Sequence, residues 1–264
     1  MADNIVYRTD AISRHYSTHR RRWADLYPSE RAIFDRLGAA NVTLTSVLDV
    51  GCAAGGLAEA LAERFPSIRS YTGIDINAQA IESARRLTNV PGLQTQFITD
   101  DICGCAALTG ERFDLVAALS VADWNVDAHG MIAACWNHVR PGGHLVMSLR
   151  LTTQAGTCDA ARSFQYIWFD DVPVPVDAER APYNVFNIRD ALRLLAGQAP
   201  RPERIEMCGY WGTPSPTART PYARLLFSVI ALQRAADDTF SGEPIVDACV
   251  PVGAFLDGET NGRV

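Results

Sequence analysis

The sequence predicts an α/β fold in which a doubly wound, mostly parallel sheet carries helices on both faces. Three observations support this fold class. Short apolar runs typical of buried strands alternate with stretches of helical periodicity. Glycines join a strand to a helix within residues 47–65. Acidic residues follow two further strands at the edge where parallel sheets bind their ligands.

Residues 47–65 contain the strand-to-helix unit around which the rest of the chain is organised. They predict a buried strand up to Val50, a tight glycine-rich turn, and an amphipathic helix that ends before Pro66. Glycine lets the backbone approach a ligand closely, and the free N–H groups of a first helical turn carry partial positive charge. The turn therefore predicts a cradle for a carboxylate or a phosphate.

The second strand, within residues 71–77, ends in Asp75, which lies 24 residues after Gly51. A carboxylate in this position can accept both hydroxyls of an adenosine ribose. Nicotinamide-binding folds require Gly-x-Gly-x-x-Gly in the first turn, whereas Ala53 stands at the third position here. A nicotinamide enzyme is therefore disfavoured.

Four segments fit one family pattern in the same order: Asp49-x-Gly51-Cys-Ala-Ala-Gly55-Gly56, residues 97–102, residues 113–120 and residues 139–146. With an acid two residues before the first glycine, they resemble the motifs of class I S-adenosylmethionine-dependent methyltransferases. The resemblance covers about residues 44–150. It implies a Rossmann-like, doubly wound sheet of seven strands, mostly parallel with an antiparallel last strand, and S-adenosyl-L-methionine as the cofactor.

The resemblance also implies which residues contact this cofactor. The first turn would hold the methionine end, Asp75 the ribose, and Asp101 with Ile102 the adenine. The full predicted set is Asp49, Gly51, Cys52, Ala53, Gly55, Asp75, Ile76, Asp101, Ile102 and Ser120. Asp100 competes with Asp101 for the adenine amino group, and Asp101 has the alternative role of a helix cap.

Residues 120–125 follow the fourth strand and would lie beside the transferring methyl group. They lack the Asn/Asp-Pro-Pro-aromatic tetrad of enzymes that methylate base amines or glutamine, which disfavours those substrates. In-line methyl transfer needs no protein nucleophile, but a hydroxyl acceptor benefits from a general base. Asp123 is the leading candidate for that base and His129 a weaker one. A solvent-exposed or capping carboxylate is the alternative interpretation of Asp123.

Residues 151–185 lose regular periodicity, and aromatic side chains are dense there and just beyond. These aromatic residues are Phe164, Tyr166, Trp168, Phe169, Tyr183 and Phe186. They predict either the wall of an acceptor pocket or a hydrophobic plug or dimer contact. The candidate acceptor-binding residues are Trp124, Tyr166, Trp168 and Asp170. Asp170 and Asp171 have no complete set of metal ligands around them, so no metal is expected.

The remaining patterns divide the chain into three parts. Residues 1–40 predict a helical lid, in which a helix over 11–26 carries Tyr16 and Trp23 as lid or packing residues. A second helix there is capped by Ser29 and stopped by Gly38. Residues 41–236 predict the catalytic domain, with an aromatic-rich insertion at about 151–186 and two last strands at 204–208 and 224–232. Residues 237–264 predict an irregular tail.

Composition limits the classes of partner. The 264 residues are 48% hydrophobic and carry 24 basic and 30 acidic side chains, so the formal net charge is −6. Because nucleic-acid binding depends on phosphate neutralisation, no nucleic-acid partner is expected. The run at residues 20–22 is basic, but we interpret it as the solvated face of a helix. The seven cysteines are scattered and form no recognisable metal site.

The sequence shows no membrane-spanning run and no signal peptide, which predicts a cytoplasmic protein without a membrane partner. The predicted function is methyl transfer to an oxygen or nitrogen of a small-molecule acceptor, such as a sugar or a specialised metabolite. Two alternatives stay open: a nucleic-acid or protein substrate, and a regulatory subunit that binds S-adenosylmethionine without catalysis. A homodimer is also left open.

Overall fold

The computed structural model describes residue 4 and residues 18–168, 173–175, 177–237 and 239–255. A nine-stranded sheet with helices on both faces forms the core, and three short strands form a second sheet. The predicted fold class is confirmed, although the main sheet has nine strands where seven were predicted. Among the described residues, the helices are all too short or too polar to cross a membrane.

The strands are β1 (Ser46–Val50), β2 (Ser70–Asp75), β3 (Gln94–Thr99), β4 (Phe113–Ala118), β5 (Val139–Thr152), β6 (Phe164–Tyr166), β7 (Arg180–Pro182), β8 (Phe186–Asn187), β9 (Pro202–Gly212), β10 (Ala218–Arg219), β11 (Leu225–Arg234) and β12 (Ile245–Cys249). The α-helices are α1 (Pro28–Ala39), α2 (Gly56–Arg64), α3 (Ala78–Leu87), α4 (Ala128–Asn137) and α5 (Ile188–Ala196). Short 3₁₀ helices cover Trp23–Asp25, Ala106–Leu108, Ala122–Trp124 and Val252–Ala254.

The main sheet has the order β12-β9-β11-β5-β4-β1-β2-β3, with β8 paired to β5. Strands β1 to β5 are parallel, and β11 runs antiparallel to both of its neighbours. The predicted antiparallel last strand is therefore confirmed in β11. The chain passes from β1 outward to β3 and then returns to β4 on the other side of β1. This reversal opens a crevice at the carboxyl ends of β1 and β4.

The two faces of the sheet carry different helices because the strand side chains alternate between them. On one face, α4 and α5 pack on β5 through fully buried side chains such as Trp136 and Leu195. On the other face, α1, α2 and α3 pack through Phe34, Leu61 and Ile81. The apolar stripes predicted for these helices are the faces that they bury.

The N-terminal region differs from its prediction. A continuous helix over 11–26 was expected, but residues 18–20 form a turn, and only Trp23–Asp25 is helical in the described part of that range. The positive φ of Arg20, 53°, is incompatible with a helix there. Residues 11–17, with Tyr16, lie outside the described residues. Trp23 packs against Phe34 and Phe65, so it acts as a packing residue.

The boundaries of α1 also differ slightly from the prediction. Pro28 is its first residue, and Ser29 lies inside the helix and makes no cap. The carboxylate of Glu30 instead accepts the backbone N–H of Tyr27, at 2.9 Å. Gly38 remains helical, and the helix ends one residue later at Ala39.

Residues 245–249 were expected to be irregular, but they form β12, which pairs in parallel with β9. Ile245 and Val246 on this edge strand are 60% and 49% exposed. The strand therefore forms mainly through backbone pairing, which leaves little trace in side-chain periodicity. Its Asp247 pairs with Arg36 of α1 at 3.0 Å, an ion pair at the surface.

Candidate functional site

A cavity lies in the crevice at the carboxyl ends of β1, β2 and β4. The residues that follow these strands line it, together with His19 and Arg20 from the N-terminal turn. Asp49 and Asp75 lie on one side of the chain reversal, and Ser120 and Val121 lie on the other. Apart from Asn4, His19 and Arg20, the residues that line this cavity therefore come from residues 49–131, within the part of the chain that carries the family motifs.

The glycine-rich turn is shaped by close contacts inside the protein. Gly51 has a φ of 69°, and a Cβ added there would lie 2.4 Å from Val121 Cγ2. Gly55 has a φ of 73°, and its Cβ would meet Thr88 Oγ1 at 2.4 Å. Both positions therefore require glycine, first for the backbone conformation and second for space.

Four backbone N–H groups of the glycine-rich turn donate to partners within the protein. The N–H groups of Gly51 and Cys52 both donate to the carbonyl oxygen of Ile74, and that of Gly55 donates to Cys52. The N–H of Ala53 donates to the Asp75 carboxylate at 2.9 Å. These four groups hold the shape of the turn, and the N–H groups of the first turn of α2, which the sequence predicted to bind an anion, are not among them.

Asp75 ends β2 with a partly buried carboxylate that is held in place by the backbone. One oxygen accepts the Ala53 N–H, and the other accepts the Asn77 N–H at 2.8 Å. Burial raises the pKa of Asp75, and these two hydrogen bonds oppose that rise. Since a carboxylate oxygen can accept two hydrogen bonds, each still has capacity for a donor from a ligand.

Asp49 in β1 lies beneath the cavity and is 4% exposed. Its carboxylate accepts a short hydrogen bond from the Tyr71 hydroxyl. Burial raises the pKa of Asp49 to about 7, although the Tyr71 hydrogen bond and the charge of Arg20 act in the opposite direction. Asp49 is therefore a carboxyl group that changes its charge near neutral pH.

Asp101 and Ile102 line the cavity after β3, as does Asp100. The Asp101 carboxylate accepts the Cys103 N–H at 2.9 Å and the Asn4 side-chain amide at 2.6 Å. The first of these bonds closes a turn, and no helix begins at Asp101 in this described segment, so the helix cap that was left open for Asp101 does not form. Ile102 is buried and supplies an apolar surface beside these carboxylates.

Arg20 corrects the interpretation of the basic run at residues 20–22. Its guanidinium pairs with Glu30 at 2.7 Å and donates to Ser120 Oγ at 2.9 Å, and the residue is 8% exposed. Arg21 pairs with Glu59 at 2.8 Å, and only Arg22 has the solvated side chain that was expected. The prediction failed because no continuous helix forms here to turn Arg20 outward.

A second cavity, of about 550 Å³, adjoins the first one. His19, Ser120 and Trp124 line both. The walls of the second cavity are largely aromatic, with Tyr27, Tyr183, Tyr210 and Phe227, and its charged lining residues include Arg150 and Glu30. Its size suits a small organic molecule.

Solved structures show the same fold. The chain is similar to an S-adenosylmethionine-dependent methyltransferase from Clostridium acetobutylicum, with a TM-score of 0.51 and 15% identity over 84% of this chain and 97% of that one. It is also similar to TehB from Haemophilus influenzae, with a TM-score of 0.52 and 17% identity over 85% of this chain and 66% of that one.

Residues 47–143 match the family model of a methyltransferase domain. These residues belong to a class I S-adenosylmethionine-dependent methyltransferase domain. The matched residues run from β1 through the start of β5, and so include the strands that frame the first cavity.

Curated relatives of this methyltransferase domain include enzymes with small-molecule names. The ubiquinone biosynthesis O-methyltransferase of Serratia proteamaculans is 31% identical over 103 residues, which are 39% of this chain and 42% of that protein. The trans-aconitate 2-methyltransferase of Paracidovorax citrulli is 32% identical over 152 residues, 57% of this chain and 55% of that protein. The chain therefore spans roughly half the length of these relatives.

The predicted cofactor residues gather at one site of the methyltransferase domain. All except Gly55 line the first cavity: Asp49, Gly51, Cys52, Ala53, Asp75, Ile76, Asp101, Ile102 and Ser120. Gly55 stands just before α2, behind the lining residues, and packs against Thr88 and Phe97. Its place in the motif reflects the conformation of the turn.

Neither predicted general base is among the residues that line these two cavities. Asp123 is completely buried and forms a tight ion pair with Arg150. A base must reach a substrate proton, and this carboxylate faces a guanidinium instead. His129 is exposed on α4 beside Phe186. We therefore assign neither residue to proton transfer.

The aromatic insertion lines the second cavity with Gln165 and Tyr183, of which only Tyr183 belongs to the predicted aromatic set. In β6 the alternation of side chains turns Gln165 into the cavity and puts Phe164 and Tyr166 on the opposite face, where Arg180 stacks on both rings. Tyr166 and Trp168 are consequently not among the lining residues, while Trp124 lines both cavities. Phe169, Asp170 and Asp171 lie outside the described residues.

Sequence reasoning missed His19, Arg20 and Arg150. His19 and Arg20 reach the site from an irregular turn, and nothing in their local pattern indicates this contact. Arg150 did leave a signal, because it interrupts the apolar alternation of β5 at a position that should face the core. A charge at such a position is costly unless it is paired, and it is therefore informative.

Proposed function

We propose that the protein transfers the methyl group of S-adenosyl-L-methionine to an oxygen or nitrogen atom of a small-molecule acceptor. The observation that carries this proposal is the pair of adjoining cavities with His19, Ser120 and Trp124 in the lining of both. Methyl transfer requires two ligands whose reacting atoms meet at about 3 Å with water excluded. Two cavities with shared lining residues supply that arrangement.

The residues of the first cavity fit the chemistry of the cofactor. The Asp75 carboxylate, with acceptor capacity left on both oxygens, suits the two ribose hydroxyls. Ile102 offers an apolar surface for the adenine, and Asp101 offers an acceptor for its amino group. Arg20 supplies a buried positive charge for the carboxylate of the methionine end, where the backbone N–H groups of the turn are already occupied.

The acceptor is proposed to occupy the second cavity. Its volume and its aromatic walls favour a small planar or ring-containing molecule over a folded macromolecule. The names of the relatives from Serratia proteamaculans and Paracidovorax citrulli also refer to small molecules. When the cofactor is bound, its sulfonium supplies the electrophilic methyl group, and the protein's part is to align the acceptor and exclude water.

An assay with methyl-labelled S-adenosylmethionine tests the proposal. Purified protein is incubated with a small-molecule extract, with total RNA and with a protein extract in separate reactions, and incorporated label is counted. We expect label only in the small-molecule reaction. Label in RNA or protein would contradict the acceptor class. Binding of S-adenosylhomocysteine without label in any reaction would contradict catalysis.

A further inference from the structure

We propose that the acceptor is a carboxylic acid whose carboxylate is bound by Arg150 in the second cavity, with Asp123 tuning the strength of that contact. This inference rests on the proposed function and specifies its substrate class. It makes Arg150 a specificity-determining residue.

The sheet turns Arg150 toward the second cavity. In β5, Val146, Ser148 and Arg150 share one face by strand alternation, and Val146 packs in the core on the side of α1. Arg150 pairs in register with Phe227 of β11, which pairs with Tyr210 of β9. These three side chains form one row across the sheet, and all of them line the cavity.

Aromatic rings hold the guanidinium in a defined orientation. Its central carbon lies 4.6 Å from the Tyr183 ring centroid and 5.8 Å from that of Phe227. Asp123 pairs with one terminal nitrogen, Nη1. Asp123 is itself fixed because the Asn184 N–H donates to its backbone oxygen at 2.8 Å. A guanidinium held at one end by an ion pair and between rings is preorganised to donate from its other nitrogens.

Three buried polar atoms on residues lining this cavity have no hydrogen-bond partner within the described structure. They are Nε of Arg150, the Tyr183 hydroxyl and Oε1 of Gln165. Buried polar atoms are normally satisfied, so atoms of this kind around one cavity indicate a ligand. The two donors suit an anion, and the Gln165 oxygen suits a donor such as a ligand hydroxyl.

The local charge favours a carboxylate over a phosphate. Arg150 and Arg20 are each already paired, with Asp123 and Glu30 respectively. A phosphate dianion would lie near these two carboxylates with little net positive charge to balance it. A planar carboxylate, with one negative charge, matches the donor fork of one guanidinium.

The test uses the protein saturated with S-adenosylhomocysteine and the probe pair 4-hydroxybenzoate and 4-hydroxybenzamide. Both probes have the same ring and hydroxyl, and only one has a carboxylate. Dissociation constants from ligand-observed NMR titrations should favour the acid by about 10-fold or more. Equal affinities, or a 10-fold preference for phenyl phosphate over the acid, would overturn the proposal.

Variants identify the residue responsible. Asp123→Asn should tighten binding of the acid several-fold, because a neutral side chain competes less for the guanidinium. The double variant Asp123→Asn/Arg150→Gln removes both charges, which avoids an unpaired buried carboxylate, and should abolish the preference for the acid. Arg180 of β7 stacks on the rings of Phe164 and Tyr166, on the face of β6 that points away from the cavity. Arg180→Gln should therefore leave that preference unchanged.

Two outcomes with these variants would refute the role of Arg150: a preference for the acid that survives in the double variant, or one that disappears in Arg180→Gln. Affinity for S-adenosylhomocysteine, measured separately by calorimetry, should stay the same in all three variants. A wild-type protein that fails to bind S-adenosylhomocysteine would instead refute the proposed function.

Discussion

At the scale of single residues, the Asp75 carboxylate has the most specific role in the proposed cofactor site. Its replacement by alanine should weaken S-adenosylhomocysteine binding by about 2 kcal/mol, because two charge-assisted hydrogen bonds to the ribose are lost. Titration calorimetry measures this effect. Asp75→Asn keeps an acceptor for one of the two backbone N–H groups and should show a smaller loss. Unchanged affinity in both variants would remove the assignment.

The affinity for S-adenosylmethionine is expected to depend on pH through the carboxyl group of Asp49. Since burial raises the pKa of Asp49 to about 7, the group is partly protonated in the free protein at neutral pH. S-adenosylmethionine carries a net positive charge, which favours the carboxylate form of a nearby acid. Affinity should therefore rise as the pH increases through 7, with release of a proton.

Calorimetry at pH 6, 7 and 8 in buffers of different ionisation enthalpy measures both the affinity and the proton release. Asp49→Asn should flatten the dependence, because the variant lacks the carboxyl group whose pKa is about 7. S-adenosylhomocysteine lacks the sulfonium charge and should show a weaker dependence. An affinity for S-adenosylmethionine that stays constant from pH 6 to 8 would contradict the prediction.

The same shift in pKa has a consequence for stability. The folded state holds the Asp49 proton up to about pH 7, whereas an unfolded chain releases it near pH 4. Between these values the folded state binds more protons, so the contribution of Asp49 to stability declines as the pH rises through this window and is constant above it.

At the scale of elements, the turn between β1 and α2 depends on its glycines for conformation as well as space. Gly51→Ala should prevent binding of S-adenosylhomocysteine and lower the melting temperature, because the added Cβ meets Val121 at a positive φ. Gly110 also has a positive φ, 81°, but no atom lies within 4 Å of the position of its Cβ. Gly110→Ala is therefore a matched control for the effect of φ alone.

Thermal unfolding and calorimetry distinguish these two variants. We expect Gly110→Ala to cost about 1 kcal/mol of stability and to bind S-adenosylhomocysteine normally. Binding by Gly51→Ala with wild-type affinity would show that the turn tolerates a side chain. The double variant Gly51→Ala/Val121→Ala relieves the contact and should recover part of the loss.

The aromatic insertion shows how an element can reverse a residue-level prediction. Composition indicated an aromatic pocket wall, yet β6 turns Gln165 inward and Tyr166 outward toward Arg180 and Arg219. A shift of one residue in strand register exchanges the two faces. The amino-acid composition of the segment does not predict this register. β6 has three residues, too few to show an alternating pattern, and among the described strands it pairs with β7 and β10.

At the scale of the whole molecule, much of the stability comes from buried side chains that line neither cavity. Trp136 of α4 is completely buried on one face, and its indole N–H donates to the Pro200 carbonyl oxygen at 2.7 Å. Trp136→Ala should reduce the free energy of unfolding by about 3 to 5 kcal/mol through the cavity that it leaves. Urea denaturation measures this loss. Ile245→Ala, at a 60% exposed position in β12, should change it by less than about 0.5 kcal/mol.

If Trp136→Ala remains folded at low temperature, its affinity for S-adenosylhomocysteine should match that of the wild type, since Trp136, unlike Met131 of the same helix, lines neither cavity. A loss of affinity without a loss of stability would contradict this expectation.

The sequence by itself determined the sheet, the antiparallel β11, the glycine turn and the acidic residues after β2 and β3. These features depend on local periodicity and on residue types that the backbone requires, and both can be read along the chain. It also identified Asp75 and Asp101 as residues of one edge, because parallel strands bring their carboxyl ends together.

Only the tertiary structure decided what meets at that edge from elsewhere. Arg20 arrives from an irregular turn, Asp123 is paired with Arg150, and β12 adds to the sheet through backbone pairing alone. Each of these results depends on a contact with a residue that is distant in the sequence. A charge has the same local pattern whether it faces water or a buried counter-ion, so its partner is known only once the chain has folded around it.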